Sequence, residues 1–412
     1  MTLNKSVTVI GLGYIGLPTA LLIADAGIIT KGFDVDASKI QLLQNHKLYF
    51  EEKGLSELFT SVITKKSFEA SLSITPSDIY IIAVPTPTQH GSADLQYVFA
   101  ALEAVKKIFQ PGNLIVLEST VAPRDCADRV VPEIFTWNKN FLFSHCPERA
   151  IPGNTLHEMK CNDRIIGGLT EESTSATIAL YKNFVTGNFH TTDPTTAASS
   201  KVMENTFRSV NIALANEFAR LAESLGFDVW EAIILANKHP RVNIHAPGSG
   251  VGGHCIPVDP WFFVTDELEL SVIKTSLLLN QSIPNKIVAK VLRIIKAGNL
   301  TNPVVGILGY AYKKNVNDVR ETPAKQLLSG FSKYFQTLVS DPYVHQEKFL
   351  DLDVLLSKVG VVVLATNHDV YTNIFFSEYP NIKLVYDALN FFGEKNFQDS
   401  TAKHIILGNS KE

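Results

Sequence analysis

The run VTVIGLGYIGLP (7 to 18) leaves this chain few choices. A short strand of β-branched residues enters three glycines spaced GxGxxG, and a helical pattern, IGLPTALLIADAG (15 to 27), follows at once. In that setting each glycine has its own steric task. Gly11 allows a tight turn, Gly13 lets the backbone approach a pyrophosphate, and Gly16 lets helix and strand pack closely. Tyr14 and Ile15 complete the loop, and the helix N-terminus behind it offers unpaired N–H groups and a positive dipole end to phosphates. Asp34 ends the next strand candidate, 23 residues past Gly11, where it can bind a ribose 2′-OH. Its charge repels a 2′-phosphate, which favours NAD over NADP. Asp36 is a rival, but Asp34 better fits the strand end.

The first third of the chain alternates buried-strand runs with amphipathic stretches. The strand candidates are VTVIG (7 to 11), TKGFDV (30 to 35), IYIIAV (79 to 84), LIVLES (114 to 119) and FLFSH (141 to 145). This alternation implies a parallel sheet covered on both faces. From Thr195 to Leu225 one helical pattern runs free of proline and glycine. At roughly 30 residues it would be about 45 Å long, enough to separate domains and to meet a partner subunit. More helix is expected near 228 to 238 and 267 to 297. After Gly298 the alternation resumes, with strands at PVVGILGY (303 to 310), TLVSD (337 to 341), VGVVVLAT (359 to 366) and KLVYDAL (383 to 389). The expected architecture is α/β: two Rossmann-like, doubly wound parallel-sheet domains joined by a central helical domain with one long helix. The boundaries expected are 1–192, 193–298 and 299–412.

Composition narrows the partners. With 412 residues, 45% of them hydrophobic, the chain can fill more than one core. A net charge of −4 gives no electrostatic footprint for nucleic acid or an anionic membrane. Four cysteines without a CxxC pair fit reduced thiols in the cytosol. The longest apolar runs have buried-strand length, and the N-terminal one continues straight into the glycine motif rather than reading as a signal peptide. A soluble, cytoplasmic protein is expected.

A second glycine-rich stretch, GSGVGGHCIPVDPWFF (248 to 263), holds a cysteine four residues before an aspartate. Three readings of Cys255 stand open. A metal site built on His254, Cys255 and Asp259 lacks a fourth ligand and any recognised spacing, so no metal is expected. A buried structural thiol is the ordinary role of a cysteine. A nucleophilic thiolate needs a positive neighbour or a base. Lys201, Asn205 and Arg208 fall at i, i+4 and i+7 on the long helix, one face of its period, and they present either a solvated stripe or donors to an oxyanion. An NAD site beside a nucleophilic cysteine suits oxidation of an alcohol through the aldehyde to the acid, because a thiol adduct can lose a second hydride. The loop YAYKKNVNDVRETPA (310 to 324) carries charge where the first unit carried glycine, and suits a substrate diphosphate.

Several segments together resemble the nucleotide-sugar dehydrogenases of the UDP-glucose/GDP-mannose dehydrogenase superfamily. They are GLGYIGLP (11 to 18), VPTP (84 to 87), EST (118 to 120), CPERAIPG (146 to 153), KVMENTFRSVNIALANE (201 to 217), HPRVN (239 to 243), GVGGHCIPVDPWF (250 to 262) and YKKNVNDVRETPA (312 to 324). The details look like the branch acting on UDP-N-acetylhexosamines, with UDP-N-acetyl-D-mannosamine as the expected substrate. Where the UDP-glucose branch has serine and lysine, His254 and Val258 stand here. UDP-N-acetylglucosamine or UDP-glucose is the neighbouring reading. A non-catalytic sensor has no physical need of Cys255, Lys201, Asp259 and Glu148 together.

The resemblance implies roles. Cys255 is the nucleophile of the second oxidation, and Asp259 with a water takes the C6 hydroxyl proton. Lys201 and Asn205 stabilise the oxyanion, Thr120 positions the water, and Glu148 assists acid–base steps and thioester hydrolysis. Pro152 occupies the place of a second glutamate in the UDP-glucose branch. Thr86, Thr120 and Arg320 join the glycine loop and Asp34 as cofactor contacts. Arg149, Arg208, Gly252 and Lys313 join Lys201 and Asn205 at the substrate. Arg241 matches an arginine that reaches a neighbouring subunit's sugar site, so a homodimer or higher oligomer is expected.

Overall fold

The computed structural model describes residues 5–89, 92–151, 153–264 and 270–410, which leaves Pro152 outside the described residues. The chain forms two compact units, Met1–Glu204 with Trp261–Thr265, and Asn205–Pro260 with Asp266–Glu412.

The first unit is built on β1 (Val7–Ile10), β2 (Thr30–Phe33), β3 (Phe68–Ser71) and β4 (Ile79–Ile82), followed by a small ribbon, β5 (Thr88–Gln89) and β6 (Ser92–Ala93). Then come β7 (Leu114–Leu117), β8 (Leu142–His145), β9 (Arg164–Gly168) and β10 (Phe189–Thr192). Eight of these form one sheet in the order β10-β9-β8-β7-β4-β1-β2-β3. β1, β4 and β7 read VTVI, IYII and LIVL and are buried at every position, as strands covered on both faces must be. Sequence periodicity passed over β3, β9 and β10. β3 and β10 read FEAS and FHTT and are partly exposed, so their apolar signal is thin. One pairing departs from the all-parallel expectation: β8 and β9 run antiparallel, with Ser144 opposite Gly168 and His145 opposite Gly167. The strand order reverses between β1 and β4, so the crevice for a ligand opens at their C-terminal ends.

The second unit holds a five-stranded parallel sheet of β11 (Val305–Leu308), β12 (Thr337–Ser340), β13 (Val361–Leu364), β14 (Leu384–Asp387) and β15 (Lys403–Ile406). Their order is β12-β11-β13-β14-β15. The helix Ser271–Ala297 and the end of the long helix Pro194–Leu225 share this sheet's core: Ile287, Val291, Ala219 and Ala222 join Val305, Ile307, Leu327 and Phe331. The glycine Gly330 makes this possible, since a Cβ there would stand 2.8 Å from Val288.

The two sheets open alike. Gly11 and Gly309 hold φ of +89° and +88°, in the left-handed region that suits glycine. The Gly11 N–H donates to the Phe33 carbonyl at 2.8 Å, and the Gly309 N–H to that of Ser340 at 2.9 Å. Among the described residues, no helix is long and apolar enough to cross a membrane.

Candidate active site

The glycine crevice of the first unit separates three steric roles. A Cβ on Gly11 would meet the Ala83 carbonyl oxygen at 2.6 Å, and one on Gly16 the Gly11 carbonyl oxygen at 1.8 Å. Gly13 has nothing within 4 Å of the same test atom, so it faces open space. Ile15 precedes the helix Gly16–Asp25 without a side-chain cap; the Leu17 N–H donates to the Gly13 carbonyl at 3.2 Å and Pro18 has none, so no side chain competes with a ligand at the helix end. Buried Asp34 accepts the Leu12 N–H at 2.8 Å and lies 3.6 Å from the Lys39 ammonium. Asp36 is spent otherwise: it caps the helix Ala37–Gln44 through the Ser38 and Lys39 N–H groups. The loops after β4 and β7 are tied together, because the Thr86 hydroxyl donates to the Thr120 carbonyl at 2.6 Å and Ser119 Oγ accepts the Val84 N–H at 2.9 Å. An open glycine, a helix end without a side-chain cap and a buried carboxylate at the end of β2 fit NAD.

Beyond β8, Glu148 is fixed from two sides. Its Oε1 accepts the N–H groups of Arg149 at 2.6 Å and Ala150 at 2.9 Å, and its Oε2 lies 2.7 Å from Arg164 Nη2. Arg164 also approaches Glu118, whose Oε1 accepts the Tyr181 hydroxyl at 2.5 Å. Burial is the main influence on the Glu118 carboxyl and pushes it up to about 7. Arg149 grips Glu204 with two nitrogens, at 2.5 and 3.1 Å, and lines a cavity of about 600 Å³ with Asp163, His190 and Ser200. Lys201 lies buried on the long helix one turn before Asn205. Sequence reading missed Arg164 and Tyr181 and did not single out Glu118 within EST. Isolated charged residues at strand ends carry no periodic signal.

In the second unit, the cysteine loop is clamped rather than loose. A Cβ on Gly252 would stand 2.6 Å from Tyr312 Cβ, and one on Gly253 would stand 2.9 Å from the Tyr312 ring. The Gly253 N–H donates to the Arg320 carbonyl at 2.9 Å, and Ser249 Oγ to that of Ala365 at 2.8 Å. Gly252 and Gly253 thus leave room for the Tyr312 side chain. Cys255 itself is exposed. Its carbonyl accepts the Asp259 N–H at 2.8 Å, a single turn that sets the thiol and the acid one repeat apart. Asp259 is buried, and Asn205 Nδ2 donates to its Oδ2 at 2.6 Å.

The remaining expected contacts spread over the second unit. Arg241 is exposed and lines a cavity of about 460 Å³ with Phe207, Asn211 and Ile244. Arg208, one turn past Asn205, adds to burial in pushing His245 below the usual imidazole range. Arg320 donates to Asp318 at 2.6 Å, and Lys313 lies on the same Tyr312-bearing loop, partly buried.

The chain matches the UDP-glucose/GDP-mannose dehydrogenase family in three successive segments. These are its NAD binding domain over residues 5–185, its central domain over 195–282 and its UDP binding domain over 306–394. The chain belongs to this family, and its cofactor is NAD. It is 40% identical to a UDP-N-acetyl-D-mannosamine dehydrogenase of Methanococcus maripaludis, over 98% of this chain and 97% of the relative. A protein of that description from Campylobacter jejuni is 38% identical over 89% and 95%. Among solved structures, UDP-D-ManNAc dehydrogenase from Pyrococcus horikoshii aligns with a TM-score of 0.93 at 31% identity, covering 99% of this chain and 100% of that one. The UDP-N-acetyl-mannosamine dehydrogenase of Staphylococcus aureus gives 0.90 at 36%, covering 98% of each.

The open space at Gly13 generates a test. Gly13→Ala should melt like the unsubstituted protein without ligand, yet bind NAD at least ~10-fold more weakly, since a methyl there blocks charge-assisted bonds to the pyrophosphate. Calorimetric titration with NAD reads the second effect, and unchanged affinity would remove Gly13 from the cofactor site.

Proposed function

We propose that the chain oxidises C6 of UDP-N-acetyl-D-mannosamine to the uronate in two NAD-dependent steps, as part of surface polysaccharide synthesis. The observation that carries the chemistry is the turn joining exposed Cys255 to Asp259, with the Asp259 carboxylate held by Asn205. The choice of sugar is supported by the relatives that match end to end and carry that substrate in their names.

In this reading Asp259, with a water, takes the proton of the C6 hydroxyl while a hydride leaves the carbon. NAD, which Gly11, Gly13, Gly16 and Asp34 would hold, would supply the hydride acceptor for both oxidations. Lys201 and one N–H of Asn205 stabilise the oxygen at C6; the other N–H keeps Asp259 aimed. The Cys255 thiolate then adds to the aldehyde carbon to give a thiohemiacetal oxyanion, whose loss of the second hydride leaves a neutral thioester. A water positioned by Thr120, with Glu148 moving its proton, splits the thioester into carboxylate and free thiol. Arg149, Arg208, Gly252 and Lys313 hold the nucleotide sugar, and Arg320 joins the cofactor contacts.

The protein is further proposed to act as a homodimer or higher oligomer. Phe207, Leu214, Leu221 and Leu225 are exposed at helical spacing along one long helix, an apolar stripe that a second copy would cover. Sedimentation should show at least two chains per particle at micromolar concentration, and a monomer there would overturn the assembly.

Mixed with NAD and a panel of UDP-sugars, the protein should release two NADH per UDP-N-acetyl-D-mannosamine. Cys255→Ala should stop at one or fewer, and two NADH at full rate from this variant would exclude the thioester route. Lys201→Ala should lose ~10²- to 10³-fold in rate at unchanged melting temperature, the usual size for one oxyanion donor; retained activity would return Lys201 to a packing role.

A further inference from the structure

One cluster in the first unit is spent neither on the cofactor crevice nor on the cysteine turn. Glu118 follows β7 and has a fully buried side chain, and Arg164 opens β9 with 4% of its side chain exposed. Arg164 Nη2 lies 2.7 Å from Glu148 Oε2, while Nη1 lies 3.7 Å from Glu118 Oε1. The guanidinium also stacks over the Tyr181 ring at 4.6 Å. Glu118 is held in turn by the Tyr181 hydroxyl at 2.5 Å and the Thr19 hydroxyl at 3.1 Å.

The charges do not balance when every group is ionised. One guanidinium faces two carboxylates, which leaves an uncompensated negative charge in a buried site, a costly arrangement. The neighbours do not relieve it. Burial holds the Tyr181 phenol well above its usual range and pushes the Cys146 thiol up to about 12, so both stay neutral. His145, on β8, is driven down to about 4 by burial and carries no charge either. The remaining outlet is a proton on Glu118, whose burial, with the Glu148 charge, favours the neutral form against the pull of Arg164 and the two hydroxyls.

We propose that Arg164 is a positioning residue for Glu148, and that Glu118 sets by its protonation whether Arg164 serves Glu148 alone or is shared between two carboxylates. The inference rests on the role proposed above for Glu148 in thioester hydrolysis. With Glu118 neutral, the guanidinium is committed to Glu148 Oε2, and the Arg149 and Ala150 amides fix Oε1. With Glu118 ionised, the same cation is drawn toward the other carboxylate and Glu148 is held less firmly. Glu118→Gln removes the competition at nearly constant shape.

The test is the pH profile of the second oxidation, read by single-turnover quench as carboxylate release, for the wild-type protein, Glu118→Gln and Arg164→Lys. From about pH 6 to about pH 8, the ratio of the Glu118→Gln rate to the wild-type rate should rise by roughly 3- to 10-fold, a part of the ~10²-fold a positioned acid–base group supplies. A merely structural loss gives a ratio that does not change with pH. Arg164→Lys, whose single point charge cannot span both carboxylates, should slow carboxylate release ~10-fold and leave first-NADH formation within about 3-fold.

A ligand-free measurement stands beside the kinetics. Glu118 has a folded-state value above its unfolded one, so the folded protein binds the extra proton and stability falls as pH rises from about 4.5 to about 7. That slope should be shallower in Glu118→Gln melting curves. An active wild-type enzyme with a pH-independent ratio, or melting slopes unchanged by the substitution, overturns the positioning pair alone. No NADH from the wild-type protein with any UDP-sugar overturns the proposed activity itself, and the positioning role falls with it.

Discussion

Gly16 stands so close to Gly11 that a methyl group on it would lie 1.8 Å from the Gly11 carbonyl oxygen. That approach seats the first helix directly on the turn after β1, and most of what matters in the first unit follows. The helix is buried from Gly16 to Ala24, so it is a core element with a functional end rather than a surface element. Its N-terminal end reaches the crevice because the helix begins against the strand. Its next turn carries Thr19, whose hydroxyl donates to the buried Glu118. One packing contact thus sets both the cofactor crevice and one wall of the carboxylate cluster.

The turn at Cys255 works by a different means. Asp259 owes its placement to a backbone bond to the cysteine's own carbonyl, and its carboxylate to Asn205 on the long helix. The glycines before the cysteine let the backbone lie against Tyr312, and the Gly253 amide fastens to the carbonyl of Arg320. An exposed thiol therefore projects from a loop whose backbone is held. The conformational entropy of the loop is spent in folding.

Much of this was legible in the residues. Wholly apolar strands such as IYII and LIVL announce themselves, and the glycine spacing with Asp34 located the crevice because each glycine answers a local steric demand. The long helix was readable from an uninterrupted pattern, whereas the turn from Cys255 to Asp259 is seen only in the backbone bond that closes it. What escaped was set by distant pairing. β10 reads FHTT, and only its place beside β9 makes it a strand. Arg164 is one charged residue in NDRIIGG, and its meaning depends on Glu148 and Glu118, 16 and 46 positions away in sequence but within 4 Å in space. Charge pairing between separate strands leaves no period to detect.

The two sheets repeat a device that bears on the acid at the end of the second strand. Asp34 accepts the Leu12 N–H, and Asp341, at the matching place after β12, accepts those of Tyr310 and Ala311 at 2.6 and 2.8 Å. The second unit keeps the acid although its glycine fingerprint is incomplete. In both halves, then, the carboxylate is a staple for the turn. For anyone wishing to redirect the enzyme toward a phosphorylated cofactor, this makes the obvious exchange a double one. Replacing Asp34 by a small neutral residue lifts a repulsion, but it also strands a buried amide, at a cost of about 1–3 kcal/mol. The cofactor preference expected of Asp34 and the integrity of its loop rest on the same two oxygen atoms.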